Sequence, residues 1–226
     1  MTNIIQDNQG IIDKYDGDLI MAEFGAPVWY EDHAARCCRA ALGMQRKLSQ
    51  MRERWKAEGK DELYSRVGVN TGEMIVGNMG SEEVFDYTVM GDAVNLSSRL
   101  EGANKIYGTK IMIGYQTYLD VKDDFVIRQL DFLRVKGKNE PVEVFELVAE
   151  RNDELSMSLR KTLEFFRVGI EMYRMRNFKQ ARDLFRQALQ HEANDNPSQV
   201  YLARCEDFLN KPPRDDWDGT FTLTEK

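Results

Sequence analysis

The chain is predicted to be an α+β protein, a mixed sheet with helices packed largely on one face, followed by a small all-α module. Three observations predict this. Between residues 11 and 149, short β-type runs are interleaved with stretches of helical period. An Asp-Gly pair, Asp16-Gly17, stands between two apolar runs and signals a hairpin. After Arg151–Glu154 the composition turns polar, and the chain keeps a helical period to about Asn210.

The first ten residues, "MTNIIQDNQG", read as the last turns of a helix closing at Gly10. Strands follow at about 11–16 and 18–25, where Lys14 and Asp18 lie near the tips of the paired strands. From Glu31 to about Gly59, apolar residues at Ala34, Cys37, Cys38, Ala41, Leu42, Leu48 and Met51 mark a long amphipathic helix. "SRVGVNTGEMIVGNMG" reads as a second hairpin turning at Thr71-Gly72, and "VFDYTVM" as a short strand. "GDAVNLSSRLEGANK" is a helix, with Asp92 as its expected cap. "KIMIG", "FVIRQLDFLRVKG" and "PVEVFELVA" are the remaining strands, with a short helix "YQTYLDV" among them.

The domain boundary is placed at 150, giving units 1–150 and 151–226. In the second, Phe166, Gly169, Tyr173, Phe178, Ala181, Phe185, Ala188 and Leu189 match one helix–turn–helix of the tetratricopeptide kind. A single such unit cannot bury its own face, so it should lean on the first unit or on another chain. The tail "KPPRDDWDGTFTLTEK" should be extended and docked through Trp217.

A formal charge of −7 over 226 residues argues against a nucleic-acid-binding surface, which needs clustered Lys and Arg. Three cysteines make no disulfide framework and read as reduced thiols in the cytoplasm. Two isolated histidines do not make a histidine metal site. No apolar run approaches the ~20 residues of a membrane span, so any membrane anchor of the protein would lie outside this chain.

On the hairpin alone, Lys14 and Asp18 read as a solvated surface pair worth about 0–1 kcal/mol. Asn95 and Arg99, four residues apart, share one helix face, and each taken singly is an ordinary surface residue. Together with the Gly91-Asp92 entry they outline an anion site, because a guanidinium has planar donors suited to phosphate.

"DKYDGDLIMAEFGAP", "RVGVNTGEMIVGNMGS" and "DYTVMGDAVNLSSRLEGANKIYGTKIMI" together resemble the catalytic domain of class III nucleotidyl cyclases over residues 1–148. The helical end "PPRDDWDG" is similar, more weakly, to the tail of some bacterial members with membrane-bound sensor regions. The resemblance implies a ferredoxin-like, palm-like sheet and conversion of ATP to cyclic AMP and pyrophosphate with two Mg²⁺ or Mn²⁺ ions. It matches Asp18 to one of the two metal-holding aspartates, and Lys14 and Thr88 to the pair that reads the purine. A lysine with threonine implies adenine. Asn95 corresponds to the residue that orients the ribose and Arg99 to the one that stabilises the transition state. Lys136 is matched to a phosphate-binding lysine, with Lys138 as its rival. Family sites form between two chains, which implies a homodimer in which Asp18 of one subunit faces Lys14, Thr88, Asn95 and Arg99 of the other.

Family members carry the other metal aspartate on an earlier strand, ahead of the helix that ends at Gly10. The resemblance therefore implies a chain without its first strand and without that ligand, and little activity of the chain on its own. Two alternatives stay open. One is a catalytically silent cyclase-like module that dimerises or binds nucleotide, and the other is a guanylate cyclase.

Overall fold

The computed structural model describes residues 1–81, 83, 85–134 and 140–222. Helix α1 (Thr2–Asp7) leads into β1 (Ile11–Asp16) and β2 (Leu19–Glu23), then the long α2 (His33–Ala57). Next come β3 (Val67–Val69), β4 (Ile75–Gly80), β5 (Phe85–Met90) and α3 (Asp92–Tyr107). Strand β6 (Ile111–Gly114), α4 (Tyr115–Val121), β7 (Phe125–Arg134) and β8 (Val142–Glu150) complete the α+β part. Helices α5 (Met157–Arg174), α6 (Phe178–His191) and α7 (Asn196–Asn210) follow, with a two-residue β9 (Phe221–Thr222) in the tail.

Among the described residues the main sheet runs β3-β6-β8-β7-β9, with β3–β6 and β7–β9 parallel and the two inner pairings antiparallel. Strands β1–β2 and β4–β5 form separate antiparallel hairpins that are not hydrogen-bonded to that sheet.

Strand alternation sends neighbouring side chains to opposite faces, so a strand apolar at every position must be covered twice. β6 is buried throughout. Ile111 and Ile113 pack with Phe145 and Leu147 against Ala34, Cys38, Ala41 and Leu42 of α2 and Val121 of α4. Met112, between them, packs instead with Leu130, Leu133 and Val144 under Leu96, Leu100 and Tyr107 of α3. That second cluster continues without a break into Phe166, Ile170, Tyr173, Phe185, Tyr201 and Cys205 of the three C-terminal helices. Helices therefore cover both faces of the sheet, where one face was expected. The helical end does lean on the α+β part.

Polar groups at that junction are paired. Asp131 accepts from Tyr107 and from Arg204, both at 2.6 Å. Burial, then the charge of Asp131, raises the Tyr107 phenol well above its usual range. Arg128 bonds Glu146 at 2.7 Å and Asp195 at 2.7 and 2.9 Å, while Asp195 caps α7 by accepting from the Ser198 N–H. Breaking such a buried pair by removing one partner typically costs about 3–5 kcal/mol. Trp217 sits against Tyr173, Phe178 and Phe208, so the tail docks as expected. Burial holds the free thiols of Cys37 and Cys205 up at about 12.

Two other expectations change. Residues 65–80 are not a hairpin, since β3 pairs with β6 and β4 pairs with β5. Asn70-Thr71-Gly72 carries the chain beneath α3 rather than around a turn. The Asn70 side chain donates to Ala93 O at 3.0 Å, and a Cβ on Gly72 would stand 2.8 Å from the Ala93 Cβ. Asp92 is the first helical residue of α3 rather than its cap, which is Gly91 with no side-chain cap bond. The carboxylate still lies in the first turn, where the helix dipole favours a negative charge.

Candidate active site

The β1–β2 hairpin closes through Gly17-Asp18, flanked by the pair Asp16↔Leu19. Gly17 takes φ +59°, the positive φ that a two-residue hairpin loop needs at its first position. Asp18 is thereby exposed at the tip.

One strand position is irregular. The register passes from Ile12↔Ala22 to Lys14↔Met21, so Asp13 is an extra residue in a β-bulge. A bulge bends the strand and re-aims a side chain. The Asp13 side chain is 2% exposed and that of Lys14 43%. Lys14 Nζ lies 3.5 Å from Asp13 Oδ1, and Thr88 Oγ1 donates to Asp13 Oδ2 at 2.7 Å. Lys14 on β1 and Thr88 on β5, the two residues expected from sequence to read the purine, are thus held on the two oxygens of one buried carboxylate. Beside them Glu23 is buried, and neither carboxylate oxygen has a partner among the described residues. Burial first, then the Asp13 charge, push its carboxyl up to about 7 against the pull of Lys14.

From Thr88 the chain runs directly through Gly91 into α3. Three side chains fasten this helix to β3. Asn104 donates to Val67 O at 3.0 Å, Ser97 to Gly68 O at 2.9 Å, and Asn70 reaches Ala93 O. Gly68 makes the approach possible, because a Cβ there would stand 2.1 Å from Ser97 O. On the helix so fixed, Asn95 is exposed and Arg99 half-buried. Neither makes a side-chain hydrogen bond or ion pair that is seen among the described residues.

The structure therefore brings Lys14 and Thr88 together and continues from Thr88 into the helix of Asn95 and Arg99. Asp18 stands apart at the hairpin tip, with no bond to Asn95 or Arg99 among the described residues. Lys136 and its rival Lys138 lie outside the described residues. No group of three or more His, Cys, Asp or Glu gathers into a metal cage among the described residues. Asp18 fits a smaller share, one carboxylate on a magnesium-like ion whose other ligands are water and substrate phosphates.

The profile of the adenylate and guanylate cyclase catalytic domain matches residues 4–149. The chain belongs to this cyclase family. The cyclase chain is 35% identical over 147 residues to adenylate cyclase 1 of Rhizobium meliloti, covering 65% of this chain and 22% of that protein. It is 35% identical over 207 residues to the terminal-differentiation-specific adenylate cyclase of Dictyostelium discoideum, covering 89% of this chain and 10% of that protein. The chain thus spans less than a quarter of the length of these two relatives. Among solved structures, the adenylyl cyclase CyaB of P. aeruginosa superposes with a TM-score of 0.61 at 33% identity, over 68% of this chain and 79% of that one. The mixed α+β cyclase fold is therefore the fold of this cyclase chain.

Sequence reasoning left Asp13 and Glu23 without a role. A signal for Asp13 was present: in "IIDKYDG" two apolar residues precede two polar ones, which breaks the alternation of a regular strand and marks a bulge.

Proposed function

We propose that this chain is the catalytic region of an adenylate cyclase that converts ATP to cyclic AMP and pyrophosphate at the interface of a homodimer. The observation that carries the reading is that Lys14 and Thr88, which the sequence resemblance matches to an adenine-reading pair, meet on Asp13. The 35% identity to two adenylate cyclases supports it.

In this reading Lys14 and Thr88 hold the purine edge and Asn95 orients the ribose. The 3′-oxygen of ATP then attacks its own α-phosphorus. The O–H proton is lost, the bond to the β-phosphate oxygen breaks, and pyrophosphate leaves. Arg99 supplies positive charge where negative charge grows, and preorganised donors of this sort are typically worth ~10²–10³ in rate. Lys136, or Lys138 in its place, would take a phosphate. Mg²⁺ or Mn²⁺, two per site in an intact enzyme, would acidify the attacking hydroxyl and hold the triphosphate. The exposure of Asp18 at its hairpin tip leaves it open to the partner subunit, where it would face Asn95 and Arg99.

The division at residue 150, the tetratricopeptide-like nature of α5–α6 and a cytoplasmic location belong to the same proposal. A second reading, a cyclase-like module that binds nucleotide without turning it over, is favoured by one observation. Asp18, which the resemblance alone matches to the metals, has no cluster of three or more His, Cys, Asp or Glu around it among the described residues. The deciding experiment for specificity replaces Lys14 by Glu and Thr88 by Cys and compares ATP with GTP binding. Hydrogen-bonding sites reject mismatched partners by up to ~10⁴, so preference should move toward GTP. An unchanged ratio would overturn the adenine reading.

A further inference from the structure

We infer that Asp13 is a positioning residue for base selection, turning the Thr88 hydroxyl into an obligate acceptor and so excluding 6-oxopurines. The inference rests on the adenylate reading and names what makes that site selective.

A threonine hydroxyl has one proton and two lone pairs, and free to rotate it can meet either a donor or an acceptor. Here it is not free. Asp13 Oδ2 accepts its proton at 2.7 Å, and the Asp13 side chain is almost wholly buried among the described residues. An ionised carboxylate accepts only, so the direction of this bond has one solution. The lone pairs of Thr88 are what remain to face a ligand. The other Asp13 oxygen holds Lys14 at 3.5 Å, and an ammonium has donors only.

The pair therefore presents one donor and one acceptor at fixed places. Adenine offers the complement, with an N1 acceptor for Lys14 and an N6 amino donor for Thr88. Hypoxanthine and guanine carry a protonated N1 and an O6 acceptor, and both groups meet their own kind. Thr88 without Asp13 would reject nothing, since rotation of its hydroxyl would satisfy O6. The bulge makes the arrangement possible, because a regular strand would not place Asp13 and Lys14 on one site.

The test measures ATP and inosine triphosphate affinities of the 226-residue chain by displacement of a fluorescent ATP analogue. Asp13→Asn keeps the size of the side chain. Lys14 can be met only by the amide oxygen, so the amide NH₂ turns to Thr88 and forces its proton outward. The ATP-to-ITP affinity ratio should fall by about tenfold or more, the equivalent of ~1.4 kcal/mol. Asp13→Ala, which frees the hydroxyl without inverting it, should fall between wild type and Asp13→Asn. In a Thr88→Val background Asp13→Asn should change the ratio by less than about twofold, because coupled residues are not additive.

Wild-type discrimination that persists in folded Asp13→Asn would overturn the inference and leave the adenylate reading standing. Should circular dichroism show Asp13→Asn unfolded, an Asp13→Ala ratio equal to wild type would overturn it in the same way. Wild-type protein that binds ITP as well as ATP, or binds neither, would overturn the adenylate reading and this inference with it.

Discussion

Glu23 should make this protein less stable as pH rises, and Glu23→Gln should remove the effect. Its carboxyl is buried with no partner for either oxygen among the described residues, and its pKa rises from 4.5 to about 7. The folded state therefore holds a proton that the unfolded state releases near 4.5. Between those values the native form binds more protons, so unfolding becomes easier as pH increases. The stabilisation is complete below about pH 4.5 and gone above about pH 7. At ~1.4 kcal/mol for each tenfold in proton affinity the rise is worth up to ~3 kcal/mol, and about half of that after solvent screening. Urea unfolding at pH 5 and pH 8, followed by tryptophan fluorescence, measures the change for each protein. Wild type should lose about 1.5–3 kcal/mol more than Glu23→Gln over that interval. Parallel stability profiles for the two would refute the reasoning. The neighbouring charges provide an internal check: Asp13→Asn should reduce the slope and Lys14→Met should steepen it, because Asp13 raises and Lys14 lowers this carboxyl.

Arg99→Ala should lower kcat by ~10²–10³ with KM nearly unchanged wherever turnover is measurable, as its proposed role of stabilising the transition state requires. In a longer form of the enzyme that supplies the second metal aspartate, mixing Arg99→Ala with Asp18→Ala subunits should restore part of the activity through one intact shared site, and a mixture with no recovery would count against a two-chain site. The 226-residue chain on its own should make little or no cyclic AMP with Mg²⁺ or Mn²⁺, because one carboxylate leaves an ion largely to water; robust production in a coupled assay would refute this. Phe185→Ala should cost about 3–5 kcal/mol and shift one cooperative transition followed by circular dichroism, because Phe185 lies in a cluster shared by sheet and helices. Independent melting of a helical fraction would contradict the shared core.

The first hairpin, α2 and the C-terminal helices could be read from residues because their signals are local: a turn glycine, an apolar stripe, a polar break. The fate of residues 65–80 could not. Asn70-Thr71-Gly72 has the composition of a turn, and only the descent of α3 onto Gly68 and Gly72 shows that the segment is a crossing. Helices on both faces were hidden for a related reason. Met112 and its two isoleucine neighbours are all apolar, and an unbroken apolar run does not say what covers each side. At the site, Lys14, Thr88, Asn95 and Arg99 were picked out by motif. Asp13 and Glu23 escaped because burial of a carboxylate is decided by tertiary packing, not by spacing. Had the broken alternation at Asp13-Lys14 been taken as a bulge, the first of them would have been found.

The continuity of the cluster from Leu100 and Tyr107 to Phe166 and Tyr201 bears on where this chain can be cut and joined to another. The family profile stops at residue 149, yet the oily interior does not stop there. A swap cut at that point would strip the lid from Tyr107, Leu130 and Leu133, leave Asp131 without Arg204, and present a sticky face to every other protein in the cell. The packed unit of this chain is longer than its family profile. Grafts that keep α5–α7 with the sheet should stay soluble where shorter ones clump.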